Sequence, residues 1–400
     1  MQDPIPINPL LKTESIAPAY AKILSGPTDA LAKATRPGAS VHQRTPAQWA
    51  PLDWRRLENE RADLFDEKAL VAQFDYDRFL QDGYAVLKSV MTPQTIEAWT
   101  AALQYGQRLN DNLLQSDWSR IDWTGLGRRP PTKTLPPAAI SNARGNSQAI
   151  PQSDDECGVL TLRRHSVFAE YFPAGHVPYL MNVLTHPQML TLQRMCLASE
   201  AIYFDHNQLL TRAAGYAGGA WHSHKIGAGK DDCGVASPDH YQAQPNAAIS
   251  LCYPQGFAAD ADGGLKIIRG SHFFRDPSHC RAVTDEEINQ SWLKDRVHPV
   301  TGTPLVIEHL ELPPGSIVCC LSHAAHGVAA KAKDRDTRWC SLHCYKKADD
   351  ASRHVQPPSA VPPIWALKAQ RGELPPVLTE LLRPSFDRAL TGGRTEPYEE

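Results

Sequence analysis

The sequence predicts a mainly β fold with flanking helices, and three observations lead there. Six segments after residue 200, at 201–212, 247–254, 264–272, 304–312, 315–323 and 337–347, are short and rich in β-branched or aromatic residues. Gly, Pro and Asp clusters separate them, which is the spacing of a sandwich or barrel. Sustained helical periodicity, in contrast, lies upstream, most clearly at 177–199, where apolar positions recur every three to four residues. Finally, 33 of the 400 residues are proline, about 8% against a usual ~5%, so the connections between elements are long.

Residues 1–70 mix prolines with short helical stretches and are expected to form a proline-rich extension. A domain is expected from Val71 to about residue 348. It opens with a helix-like stretch, then the strand YAVLKSV, then Thr92 as N-cap and Pro93 in the first turn of a helix. From about 110 to 160 apolar residues thin out and RRPPTKTLPP and SNARGNSQ supply breakers, the composition of a lid-like insertion. Residues 349–400 read as a proline-punctuated tail with a short helix.

The length of 400 residues allows roughly two to three domains of about 150 residues. Lys plus Arg number 41 and Asp plus Glu 44, a net charge of −3, so no whole-chain field would gather nucleic acid or an anionic membrane. No apolar run nears the roughly 20 residues of a membrane span, and the first residues lack a signal-peptide pattern. A cytoplasmic protein is expected. The nine cysteines form no CxxC pair; reduced, mostly buried thiols are the reading, and Cys340 and Cys344 share one strand face with Leu342 as core.

In the segment WHSH, residues two apart point to one face of an extended chain, so His222 and His224 can chelate one ion. With 16 histidines in the chain, an HxH pair alone is a moderate signal. A hundred residues on, His326 stands at a strand end and Arg338 at the start of the next strand, suited to a third ligand and an anion anchor. A guanidinium beside a metal can grip one carboxylate of a molecule whose other end occupies the metal. The P-loop, GxSxG and HExxH patterns are missing, which removes nucleotide-phosphate, serine-hydrolase and zincin readings.

These pieces, FLQDGYAVLKSV, FDHNQLL, WHSH, GGLKIIRGSH, PPGS and HGVAAKAKDRDTRWCSLHCY in that order over residues 71–345, resemble the phytanoyl-CoA dioxygenase family of Fe(II)- and 2-oxoglutarate-dependent oxygenases. The resemblance implies a double-stranded β-helix, or jelly roll. It implies Fe(II) held by His222, His224 and His326, and 2-oxoglutarate with its far carboxylate on Arg338. O2 and a small organic substrate would be the other reactants, with hydroxylation the default outcome. Trp221, Asn207 and Gln208 are expected to line the cofactor side of the pocket, from adjacency. The chain departs from the family at one ligand: the family has HxD and this sequence has HxH.

Replacing carboxylate by imidazole removes one negative charge from the ligand set, and three neutral histidines still suit Fe, Cu, Ni or Zn. Because imidazolium cannot ligate, metal occupancy is expected to fall as pH drops through about 6.5. Several alternatives stay open on the residues alone. Asp205, Asp231 or Asp232 could supply the carboxylate, His323 could replace His326, and Arg338 could pair with Asp334 or Asp336. Two other classes of function compete: a three-histidine dioxygenase that works without 2-oxoglutarate, and a catalytically silent jelly roll that binds a small molecule or a partner.

Overall fold

A computed structural model describes residues 62–115, 147–150, 160–163, 167–169, 178–212, 214–224, 247–258, 261–274, 276–347, 372 and 374–391. The chain opens with helices α1 (Glu67–Gln73) and α2 (Tyr76–Asp82), strand β1 (Tyr84–Leu87) and helix α3 (Pro93–Gln115). Short strands β2 (Ser147–Ile150), β3 (Leu160–Arg163) and β4 (Val167–Ala169) come next, then α4 (Pro178–Thr185) and α5 (Pro187–Leu197). The β-rich half holds β5 (Ile202–Arg212), β6 (Gly219–His222), β7 (Ala247–Tyr253), β8 (Leu265–Ile268), helix α6 (Asp285–Gln290), β9 (Ile307–His309), β10 (Ser316–Leu321), β11 (His326–Val328) and β12 (Arg338–Lys347). Helix α7 (Pro376–Thr391) closes the described chain.

Two antiparallel sheets result, ordered β1-β10-β7-β12-β5-β4-β3-β2 and β6-β11-β8-β9. Within them β5-β12-β7-β10 faces β6-β11-β8-β9, so the chain from β5 to β12 crosses repeatedly between sheets. This is the strand order of a double-stranded β-helix, a jelly roll. Strand alternation then sorts side chains into layers. On β12, Cys340, Leu342 and Cys344 point between the sheets with Ile249, Leu251, Val318 and Ile267. Tyr345, with Phe204 and Leu209 of β5, instead joins the layer packed under the helices. A third cluster, containing Trp221, Ile268, Phe274 and Trp292, covers the far side of the four-stranded sheet. β7 is buried at every position, because the helical layer covers one of its faces and the second sheet the other.

Local sequence accounts for the joints. Thr92 caps α3, its hydroxyl accepting the Thr95 N–H at 3.2 Å, ahead of Pro93 at the first helical position. Trp99 of α3 donates to Ser341 Oγ at 2.9 Å and so pins the helix to β12. The periodic stretch 177–199 is two helices, interrupted where His186 caps α5 and Pro187 begins it. Packing reaches back to Leu64 and Phe65 and forward to Leu378, Leu381 and Leu382. β2, within the expected insertion, and β3, which starts where that insertion ends, extend the larger sheet. Six described cysteines are free and buried. Cys280 departs from the expectation of reduced thiols: it is disulfide-bonded. No helix among the described residues is long and apolar enough to cross a membrane.

Candidate metal centre

His222 ends β6 and His326 begins β11, and the two are direct partners in the antiparallel ladder. The same ladder row continues to Ile267 of β8, a residue of the layer between the sheets. Both imidazoles therefore face the larger sheet. His224 follows two residues later, and its backbone is fixed from both directions. Its N–H donates to Ser322 O at 2.8 Å, and the preceding Ser223 N–H donates to Asp276 Oδ1 at 2.8 Å. One ligand atom from each of His222, His224 and His326 lies within 4.8 Å of the others. Ring centroids stand 4.4 Å apart for His222 and His326, and 5.4 Å for His224 and His326.

Tautomers are set by neighbouring carbonyls. Nδ1 of His222 lies 2.9 Å from Ala220 O, and Nδ1 of His326 lies 2.9 Å from Ala324 O. A carbonyl only accepts, so each Nδ1 carries the proton and each Nε2 presents a lone pair. Burial, then the neighbouring His326 and His222, holds His224 well below the usual imidazole range. Burial, then His222, takes His326 down to about 3. These two rings thus stay neutral below pH 6.5 in the folded chain.

The open alternatives are resolved in part by placement. His323 is buried against His272, ring centroids 5.9 Å apart, outside the three-histidine group. Asp205 spends both oxygens elsewhere: Oδ1 on Lys346 Nζ at 2.5 Å and Oδ2 on His206 Nδ1 at 2.7 Å. Burial would raise its pKa, but Lys346 and His206 outweigh burial and hold the carboxylate well below its ordinary range. Asp231 and Asp232 lie outside the described residues.

Arg338 is buried at the start of β12. It donates to the carbonyls of Gly263 and Asp262 and stacks over Phe257 and Tyr253, 4.9 and 5.3 Å from their ring centres. Its ladder partner is Arg212, whose pKa burial lowers, with Arg338 adding to the effect. Lys331 is close by and pairs with Asp262 at 2.5 Å. A region rich in guanidinium thus sits between the sheets, one strand-length from the histidines: Ala329, three residues past His326, bonds Gly264 beside the Arg338 anchor, about 10 Å along the strand.

The remaining pocket expectations separate. Gln208 lies opposite Leu342 on the inward side of β5, whereas Asn207 lies opposite His343 on the helix side. Trp221, one residue from His222, belongs to the cluster behind the smaller sheet and carries Lys266 Nζ 4.8 Å over its ring. Neighbours in sequence on a strand face opposite ways, a rule already legible in the sequence. Two residues beside the site escaped notice. Ser271 Oγ accepts the Ala325 N–H at 2.7 Å and so steadies the turn into His326. His206 stacks on His224 at 5.9 Å.

A jelly roll holding three convergent imidazoles and a buried arginine is what fold and site define together. No protein-family model matches the sequence, so the resemblance to phytanoyl-CoA dioxygenases rests on its motifs. No curated protein matches it either. Similar solved structures include the α-ketoglutarate-dependent epimerase SnoN from nogalamycin biosynthesis, at 14% identity over 71% of this chain and 85% of that one, TM-score 0.41. EctD from S. alaskensis, crystallised with 2-oxoglutarate and 5-hydroxyectoine, is similar at 14% identity over 76% and 89%, TM-score 0.41. HygX from Streptomyces hygroscopicus, with nickel and 2-oxoglutarate bound, is similar at 11% identity over 72% and 88%, TM-score 0.39.

Proposed function

We propose that the chain is a non-haem Fe(II)- and 2-oxoglutarate-dependent oxygenase that hydroxylates a small organic substrate. The observation that supports this reading best is the convergence of ligand atoms from His222, His224 and His326 within 4.8 Å. Two of the three rings have their Nδ1 atoms committed to carbonyls. Three neutral imidazole donors would suit Fe(II), which His222, His224 and His326 would hold. When bound, iron and 2-oxoglutarate supply the oxidising chemistry: 2-oxoglutarate, O2 and a substrate C–H bond become succinate, CO2 and a C–OH group.

The chain's own residues orient and enclose. His222 and His326 are held by the ladder and by their carbonyl acceptors, and His224 by the backbone bonds to Ser322 and Asp276. Arg338 would receive the far carboxylate of 2-oxoglutarate; the aromatic faces of Tyr253 and Phe257 keep its guanidinium inward. The roughly 10 Å from His326 to the arginine's anchor is a span that a five-carbon diacid and an arginine side chain cover together. The apolar layer of Ile249, Leu251 and Leu342 excludes water from that path, which strengthens the charge pairing.

The test is conversion of 2-oxoglutarate to succinate by the iron-loaded protein, with and without candidate substrates. His222→Ala and His326→Ala should abolish it. Arg338→Ala should raise the KM for 2-oxoglutarate by about 10–100-fold, the worth of a charge-assisted hydrogen bond. The all-histidine donor set favours a second reading, a dioxygenase that needs no keto acid. In that case Arg338→Ala leaves turnover of the organic substrate unchanged and no succinate forms. A protein that takes up no redox metal anaerobically would be the silent jelly roll.

A further inference from the structure

His222 and His326 are each oriented by a hydrogen bond from Nδ1 to a carbonyl, but among the described residues none is made by the ring of His224. Its ring lies instead in a stack. His326 is on one side, 5.4 Å away and inclined by 15°, and His206 is 5.9 Å away and inclined by 20°. His206 lies on the inward face of β5 with Gln208 and Leu210 by strand alternation, and the strand becomes irregular immediately before it. In the β5–β12 ladder Cys344 pairs with His206 and Tyr345 with Phe204, so Asp205 is skipped. A bulge of this kind re-aims side chains. Phe204 goes to the helix side, while Asp205 reaches Lys346 and holds Nδ1 of His206 at 2.7 Å.

We propose that His206 is a positioning residue for the metal centre: anchored by Asp205 and Lys346, it holds the His224 ring in its ligating orientation by stacking. The anchored His206 ring would then compensate for the HxH substitution. The inference rests on the three-histidine reading given above. Physically, a ligand free to turn loses rotamer entropy when it binds metal, and a partner that fixes it in advance removes that cost. Partners one layer outside a metal site are worth about 10–100-fold in affinity.

Cobalt(II) is a suitable probe, titrated into the full-length protein by calorimetry and followed by its visible absorption bands. His206→Ala should weaken Co(II) binding by about 10–100-fold and alter the bands, whereas His206→Phe, which keeps a flat ring, should retain most of the affinity. Asp205→Asn should fall between them. Thermal unfolding of each metal-free variant checks the fold, and His206→Gln offers a second ring-less variant should His206→Ala fail to fold. Wild-type affinity and bands in the ring-less variants would overturn the proposal. Equal loss in the Ala and Phe variants would also overturn it and make His206 a ligand. If instead the wild type binds no Co(II), or His224→Ala binds it as tightly as the wild type, the three-histidine reading itself fails.

Discussion

A Cβ built on Gly83 would stand 2.3 Å from Nδ1 of His272, and the residue has φ +83. Glycine is required there twice over, for the left-handed turn that ends α2 and for the imidazole pressed against it. His272 Nε2 lies 2.8 Å from Leu80 O and His298 Nε2 lies 2.9 Å from Gln81 O, so two histidines satisfy carbonyls in the last turn of α2. Gly270 repeats the arrangement, with His298 Cδ2 2.3 Å from its absent Cβ. Gly83→Ala should therefore destabilise the protein by about 2 kcal/mol or more. Thermal unfolding measures this as a drop of several degrees in Tm, and a change of less than a degree would refute it.

At the scale of elements, the segments FLQDGY, GSH and HG form one mechanical chain. Helix α2 is capped from the GSH turn, Ser271 of that turn receives the Ala325 N–H, and Ala325 leads directly into His326. Ser271→Ala would leave a buried N–H without its acceptor, at a cost of about 1–3 kcal/mol, placed beside the proposed ligand His326. The expected outcome is Co(II) affinity several-fold weaker, with His222 spacing unaffected; an unchanged titration curve would mean the turn is held by other contacts. Six strand-like segments were legible because β-branched runs between breakers are a local signal, and five of them became the strands β5, β7, β8, β10 and β12 with ends within a few residues. The sixth, 304–312, yields a strand of only three residues, β9. The break at His186 and Pro187 was equally local yet hidden by continuous apolar spacing. The bulge at Asp205 was not legible, because it depends on the register with β12, a strand more than 130 residues away.

For the whole molecule, sensitivity to acid follows from histidines kept neutral inside. Burial, with His323 adding, holds His272 well below its ordinary pKa; burial takes His323 to about 4; burial, then His206, takes His343 to about 3. In the unfolded chain each protonates near 6.5. Between about pH 6.5 and 4 the unfolded state therefore binds more protons than the folded one, so stability is full above that window and declines as pH falls through it. The slope is up to about 1.4 kcal/mol per pH unit for each histidine. Unfolding temperatures measured from pH 7.5 to 4.5 should decline below 6.5, and His323→Gln should flatten the decline. A constant Tm over that range would show these rings are solvated on the timescale of titration.

The direct pairing of His222 with His326 across one ladder means that two of the three proposed ligands are brought together by the same hydrogen bonds that build the smaller sheet. Their spacing is an inheritance from folding, present before any ion arrives. It is also unforgiving: side chains alternate, so a one-residue slip of β11 against β6 would present Ala325 or Gly327 where an imidazole belongs. Ability to capture metal thus doubles as a readout of strand register, and a protein could keep its β content while losing that capacity entirely.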